Sequence, residues 1–184
     1  MTLVAEKKIT VAEFLERDDF EEGYIYELIN GIIMRRASPH AMHQNAVLNI
    51  AAIMRAFVLE RKLGKCYIAP LDVAFANSNL IQPDVLFISK DRLGIVGKFV
   101  DGVPELVVEV LSQGSIKIDR DDKMKAYRRH GVAEYWIVDY QKKTVEVYAL
   151  INDDYDMVSF GDEIGAVESM VLDGLKINLE DIFD

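Results

Sequence analysis

Apolar positions recur along the chain with two periods, and the switches between them mark out the elements. Thr10 followed by Glu13 has the spacing of a capping box and predicts a short helix over residues 11–17. Two β-rich runs come next, at 24–29 and 32–36, joined by Asn30-Gly31. That dipeptide accepts positive φ at both turn positions, so the runs should form a tight hairpin. From 42 to 63, Val47, Ile50, Ala51, Met54, Phe57 and Val58 recur at helical spacing, and Gly64 is expected in the C′ position that ends the helix.

The middle of the chain reads as a sheet. Runs at 66–69, 71–76, 85–88, 106–111, 135–138 and 144–150 are rich in β-branched and aromatic residues. The two most apolar, 106–111 and 135–138, flank a helix predicted over 119–130 and stopped by Gly131. A strand-helix-strand unit crosses over right-handed, so those strands should lie parallel. A strand at 155–160 and a helical turn at 179–183 finish the pattern. The expectation is a mixed α/β (α+β) fold, a single domain over residues 1–184, with one central sheet flanked by helices and an N-terminal hairpin.

Composition narrows the function classes. The 184 residues are 51% hydrophobic and 28% charged, which excludes disorder, collagen-like structure and coiled coil. One cysteine, Cys66, can form neither an internal disulfide nor a zinc cluster, so a reducing, cytoplasmic setting is expected. Residues 1–8 lack the order of a signal peptide, and no apolar run reaches membrane-spanning length, so no membrane role is expected. The formal charge of −10 argues against a surface coated in positive charge. Asp18, Asp19, Glu21 and Glu22 cluster before the hairpin, and Asp153, Asp154, Asp156, Asp162 and Glu163 crowd the last third. Lys117, Arg120, Lys123, Lys125, Arg128 and Arg129 concentrate on and before the second helix, with Arg55, Arg61 and Lys62 on the first. A local basic patch suffices to meet phosphates, and the overall acidity predicts weak, salt-sensitive binding.

Several charges stand where charges are expensive. Glu109 lies inside Leu106-Val107-Val108-Glu109-Val110-Leu111, where an unpaired carboxylate costs several kcal/mol. A buried ion pair with one Lys or Arg would meet that cost as well as a metal would. Asp84 opens a strand directly after Gln82-Pro83, and two carboxylates at neighbouring strand ends suit Mg²⁺, which takes one or two carboxylates and keeps several waters. Asp119, Lys123 and Tyr127 recur every four residues, on one helix face. Taken alone, Asp119 and Lys123 read as a surface ion pair and Tyr127 as half-buried packing. Glu27 sits between Tyr26 and Leu28. His43 and Gln44 follow Ser38-Pro39 at the start of the long helix, a place that welcomes an anion. Asp72 reads as a structural hydrogen-bonding acid and Trp136 as core.

In order, Tyr26-Glu27-Leu28-Ile29-Asn30-Gly31, Ser38-Pro39 with His43-Gln44, Gln82-Pro83-Asp84-Val85, Leu106 to Ser112, Asp119 to Tyr127 and Gly131 to Asp139 closely resemble the Uma2 family (DUF820), over about residues 10–183. The resemblance implies a restriction-endonuclease-like PD-(D/E)XK fold and a metal-dependent endonuclease acting on DNA, with Mg²⁺ or Mn²⁺. It implies Asp84 and Glu109 as metal ligands, Lys123 as the displaced lysine of the motif, Glu27 as an additional acid, and a homodimer. The position two residues after Glu109, where the superfamily pattern puts lysine, holds Leu111. His43 is a candidate phosphate donor. Residues 144–150 are a candidate interface edge. Two other readings stand beside this one: a catalytically inactive module of the same fold that binds nucleic acid or a protein, and a metal-free hydrolase using Asp84 and Glu109 as an acid/base pair.

Overall fold

The computed structural model describes residues 8–112 and 114–184; the stretch 1–7, included above in the search for a signal sequence, lies outside them. Helix α1 (Val11–Leu15) starts on the expected capping box, with Thr10 Oγ1 accepting from the Glu13 N–H at 3.2 Å and Glu13 Oε2 accepting from the Thr10 N–H at 2.7 Å. Strands β1 (Tyr24–Ile29) and β2 (Ile32–Ala37) pair antiparallel across Asn30 and Gly31, which take φ of 53° and 81°. The long helix α2 (Ala41–Arg61) ends differently from the expectation. Lys62, at φ 56°, takes the left-handed position, and Gly64 already belongs to β3 (Gly64–Ile68). Glycine is needed there for proximity, since a Cβ at Gly64 would sit 2.1 Å from the Ile88 carbonyl oxygen.

The run at 71–76 is shorter than expected. Ala76 turns at φ 54°, and β4 (Val73–Phe75) folds back on β5 (Asn79–Ile81), a strand too short to show a period. Then follow β6 (Val85–Ser89), a 3₁₀ stretch over Lys90–Ile95, β7 (Val100–Asp101) and β8 (Leu106–Val110). The helix predicted over 119–130 begins as a π-helical turn, Ile118–Lys123, and continues as α3 (Met124–His130), closed by Gly131 at φ 81°. Strands β9 (Glu134–Asp139), β10 (Thr144–Ile151), β11 (Asp154–Asp162), β12 (Ala166–Glu168) and β13 (Lys176–Asn178) lead to α4 (Leu179–Phe183).

In place of one sheet the described residues form a six-stranded sheet ordered β11-β10-β9-β8-β6-β3, a five-stranded sheet ordered β2-β1-β5-β4-β7, and a β12-β13 ribbon. In the six-stranded sheet, β8 and β9 run parallel, as the crossover requires, and every other neighbouring pair is antiparallel. Residues 144–150 are not an edge: β10 is paired on both sides, because the hairpin to β11 covers its full length. Among the described residues no helix is long and apolar enough to cross a membrane.

Strand alternation divides the interior in two. Leu106, Val108 and Val110 of β8 join Val85, Phe87, Trp136 and Val138 in a core under α2. Val107, Leu86, Ile88, Tyr135 and Ile137 face the other way, onto Ala126 and Tyr127 of α3 and onto Ile29, Val73, Phe75 and Ile81 of the five-stranded sheet. The outer face of that sheet is capped by Val11 and Phe14 of α1. Period two puts Glu109 with Val107, and Glu27 with Ile29, so both acids point into this second core. Replacing Gly64 by alanine should force β3 away from β6 and cost about 1–3 kcal/mol, the usual range for overpacking. Urea unfolding measures it; an unchanged midpoint would contradict the close approach.

Candidate active site

Strand β8 buries Glu109 to 1% exposure, in the middle of a sheet whose neighbouring side chains are apolar. Such a carboxylate needs donors, and they come from one face of the helix that follows. Lys123 Nζ lies 2.9 Å from Glu109 Oε1, and the Tyr127 hydroxyl donates to the same oxygen at 2.5 Å. The π-helical turn carries Asp119 onto that face, with its Oδ1 3.6 Å from Lys123 Nζ. From the five-stranded sheet, Glu27 Oε1 reaches Lys123 Nζ at 3.0 Å and accepts from the Gln82 N–H at 2.8 Å. Arg36 Nε stands 3.2 Å from Glu27 Oε2. The hairpin register explains this last pair, because Glu27 lies opposite Met34 and Arg36 is its diagonal neighbour.

Asp84 enters from the mouth of β6. Its Oδ2 accepts from the Val110 N–H at 2.8 Å, one residue beyond Glu109, and lies 3.3 Å from His43 Nε2 in the first turn of α2. Asp84 is 4% exposed and His43 1%. All five residues singled out in the sequence, Asp84, Glu109, Lys123, Glu27 and His43, are therefore buried in one neighbourhood, linked by these contacts. Asp119 and Lys123 are not a surface pair, and Tyr127 is not half-buried; each is fully enclosed. Arg36 carries no signal of its own in the sequence, although the register across the Asn30-Gly31 turn makes it the diagonal neighbour of Glu27. Asp72 holds Gln82 Nε2 at 2.8 Å, the structural role expected of it.

The charges do not balance. Among the described residues, four buried carboxyl groups, Glu27, Asp84, Glu109 and Asp119, are met by two permanent cations, Lys123 and Arg36, with His43 beside Asp84. Burial works against the Lys123 charge, but Glu109, Glu27 and Asp119 outweigh it and keep its pKa raised, so it stays an ammonium. Burial also opposes the Arg36 charge, and Glu27 with the other acids more than compensates. Asp84 is held below the usual carboxylate range: burial pushes it up, and the His43 hydrogen bond with the His43, Arg36 and Lys123 charges pulls it further down. Glu109 and Asp119 go the other way. Burial raises both, Lys123 offsets part of that, and the neighbouring carboxylates add to it.

Residues 11–180 match the Uma2 family, whose description is "Putative restriction endonuclease". The chain belongs to the Uma2 family. An uncharacterized protein of Synechocystis is 26% identical over 161 residues, which are 83% of this chain and 87% of that protein. A crystal structure titled as "a putative nuclease belonging to DUF820" from Anabaena variabilis superposes with a TM-score of 0.80 at 20% identity, covering 95% of this chain and 97% of that one. The fold is thus the expected mixed α+β one, with helices against a mixed sheet, shared with that DUF820 protein.

Whether the Uma2 cluster suits a divalent cation can be judged from its lone pairs. Glu109 Oε2 and Asp119 Oδ1 are buried without a hydrogen-bond partner, as is His43 Nδ1. Buried polar atoms are ordinarily hydrogen-bonded, so the unbonded Glu109 Oε2 among crowded carboxyl groups fits a hard cation, while Asp119 Oδ1 has the Lys123 ammonium at 3.6 Å. Among the described residues no three His, Cys, Asp or Glu side chains are grouped so as to hold a metal alone. A cation here would be held by two carboxylates and water, the way Mg²⁺ is usually bound.

The surface patch expected beside the site is largely neutralised. Arg120 pairs with Glu146 at 2.6 Å, Arg128 with Asp154 at 2.6 Å, and Lys125 with Asp121, while Lys123 points inward. The raised Glu109 carboxyl sets a pH dependence. Its folded-state pKa exceeds the unfolded value, so its contribution to stability is complete at low pH and is lost as pH climbs from 4.5 towards 8. Metal-free protein should therefore unfold at progressively lower urea across that window, and Glu109→Gln should flatten the slope. A slope unchanged by the substitution would assign it to other groups.

Proposed function

We propose that this chain is a Mg²⁺- or Mn²⁺-dependent endonuclease that hydrolyses phosphodiester bonds in DNA, with Asp84 and Glu109 as the metal ligands. The observation that carries this reading is the surplus of buried carboxylates over cations, together with the unpartnered Glu109 Oε2. The nuclease wording attached to the Uma2 family and to the Anabaena protein supports it independently.

A bound Mg²⁺ would supply Lewis acidity at a phosphate oxygen and a water of lowered pKa. The chain's own groups do the rest. Asp84 stays ionised because His43 and Val110 N–H hold its Oδ2, and it presents a carboxylate at the strand mouth. Lys123, kept protonated by its carboxylates, offsets negative charge that develops on the phosphoryl group; a raised pKa makes it a poor base, so the electrostatic role is preferred over proton abstraction. Glu27, anchored by Arg36 and the Gln82 N–H, fixes Lys123 from the opposite side. His43, buried at the start of α2 with its Nδ1 unpartnered, would donate to a phosphate oxygen once the site is loaded.

One observation favours a second reading. None of the five residues exceeds 4% exposure, so a phosphodiester reaches them only if a covering segment moves. A closed ionic network in a nuclease-fold binding module would look the same. The metal-free acid/base hydrolase has less to stand on: Trp136 is fully buried with its indole N–H on Glu134 Oε1 at 2.6 Å, and offers no face to a sugar.

Supercoiled plasmid separates these readings. Wild-type protein with Mg²⁺ or Mn²⁺ should nick it, a chelator should stop the reaction, and Asp84→Asn, Glu109→Gln and Lys123→Met should slow it by about 100-fold or more. Equal cleavage by all four proteins would trace the activity to a contaminant.

A further inference from the structure

We propose that Tyr127 is a positioning residue that decides which oxygen of Glu109 is offered to the metal, an inference that rests on the metal-site reading above. The lone-pair accounting is specific. An ionised carboxylate oxygen has two acceptor directions. On Glu109 Oε1 two donors are in place, the Lys123 ammonium at 2.9 Å and the Tyr127 hydroxyl at 2.5 Å. Oε2 is equally buried and has none. The donors therefore crowd onto one oxygen and leave the other as the ligand atom.

Lys123 alone cannot make this choice. Its ammonium is shared among Glu109, Glu27 and Asp119, and a point charge on a flexible stem accepts either oxygen of a carboxylate. Tyr127 is different. Its ring is fully buried and wedged edge-on against Phe75 at 5.6 Å and Tyr135 at 5.1 Å, so its hydroxyl points along a fixed line. The phenol is a neutral donor, and its hydroxyl is aimed at Oε1. Four-residue spacing from Lys123 brings both groups to the same carboxylate. A rigid neutral donor fixing the orientation of a metal-binding carboxylate is the kind of outer partner whose loss weakens metal affinity by about 10–100-fold.

Tyr127→Phe keeps the ring and deletes only the hydroxyl. Tyr135→Phe is the matched control, since its hydroxyl donates to the Asp119 backbone carbonyl oxygen at 3.0 Å in the same core rather than to a carboxylate oxygen. Titrating Mn²⁺ calorimetrically into wild type and both variants should give a Kd at least about 10-fold weaker for Tyr127→Phe and unchanged for Tyr135→Phe. In the nicking assay, Tyr127→Phe should need correspondingly more Mn²⁺ for half-maximal rate and should recover most of the wild-type rate at saturation, a separation that a merely structural defect would not produce. Wild-type affinity in Tyr127→Phe, or equal weakening in both variants, would overturn the positioning role and leave the metal site standing. Absence of Mn²⁺ binding by the wild type would overturn both.

Discussion

A carboxylate buried in the middle of an apolar strand is the constraint on which the rest of this structure turns. Glu109 cannot be solvated, so the fold must deliver donors to it. The helix after β8 does so with Lys123 and Tyr127 on one face, and the π-helical turn before them brings Asp119 to the same place. Lys123 then needs more negative charge than Glu109 supplies once it is enclosed, and Glu27 arrives from the other sheet with Arg36 behind it. The two sheets are therefore joined by an ionic knot inside an otherwise hydrophobic interface.

That knot is overcharged. Replacing a buried ion pair by well-packed apolar residues is often neutral or stabilising, so stability alone gives little reason to keep four acids around two cations. The acids divide by environment: Asp84 is held ionised by His43, Arg36 and Lys123 despite its burial, whereas Glu109 and Asp119 are pushed towards the protonated form. A divalent cation would relieve the repulsion that a protein-only network leaves in place. Carboxyls with shifted pKa values gathered in one buried cluster mark a candidate functional site, and the Uma2 membership of the chain agrees with a nuclease reading of it.

Much of this was legible in the sequence because the signals are short-range. The Thr10 capping box, the Asn30-Gly31 turn, the four-residue spacing of Asp119, Lys123 and Tyr127, and the parallel β8-β9 pair all follow from local rules. Asp84, Glu27 and His43 stand out by residue type and place, and the structure brings them into the neighbourhood of Glu109 and Lys123. What escaped was set by tertiary contact. The end of α2 falls at Lys62 because Gly64 is required against Ile88, and β5 emerges only when Ala76 turns the chain back. The enclosure of Lys123 and Tyr127 depends on a second sheet whose existence no local period announces. The basic patch looked free because its partners, Glu146 and Asp154, lie more than twenty residues away.

The central claim is that the acid cluster holds a divalent cation through Asp84 and Glu109. Electron paramagnetic resonance of Mn²⁺ added to metal-free protein tests it directly, since bound ion loses the sharp six-line signal of the free one. The account predicts a single bound Mn²⁺ per chain in the wild type and a full free-ion signal in Asp84→Asn, with both proteins folded. A wild type that leaves the signal unchanged, or an Asp84→Asn protein that quenches it equally, would contradict the account and leave the cluster as a structural network.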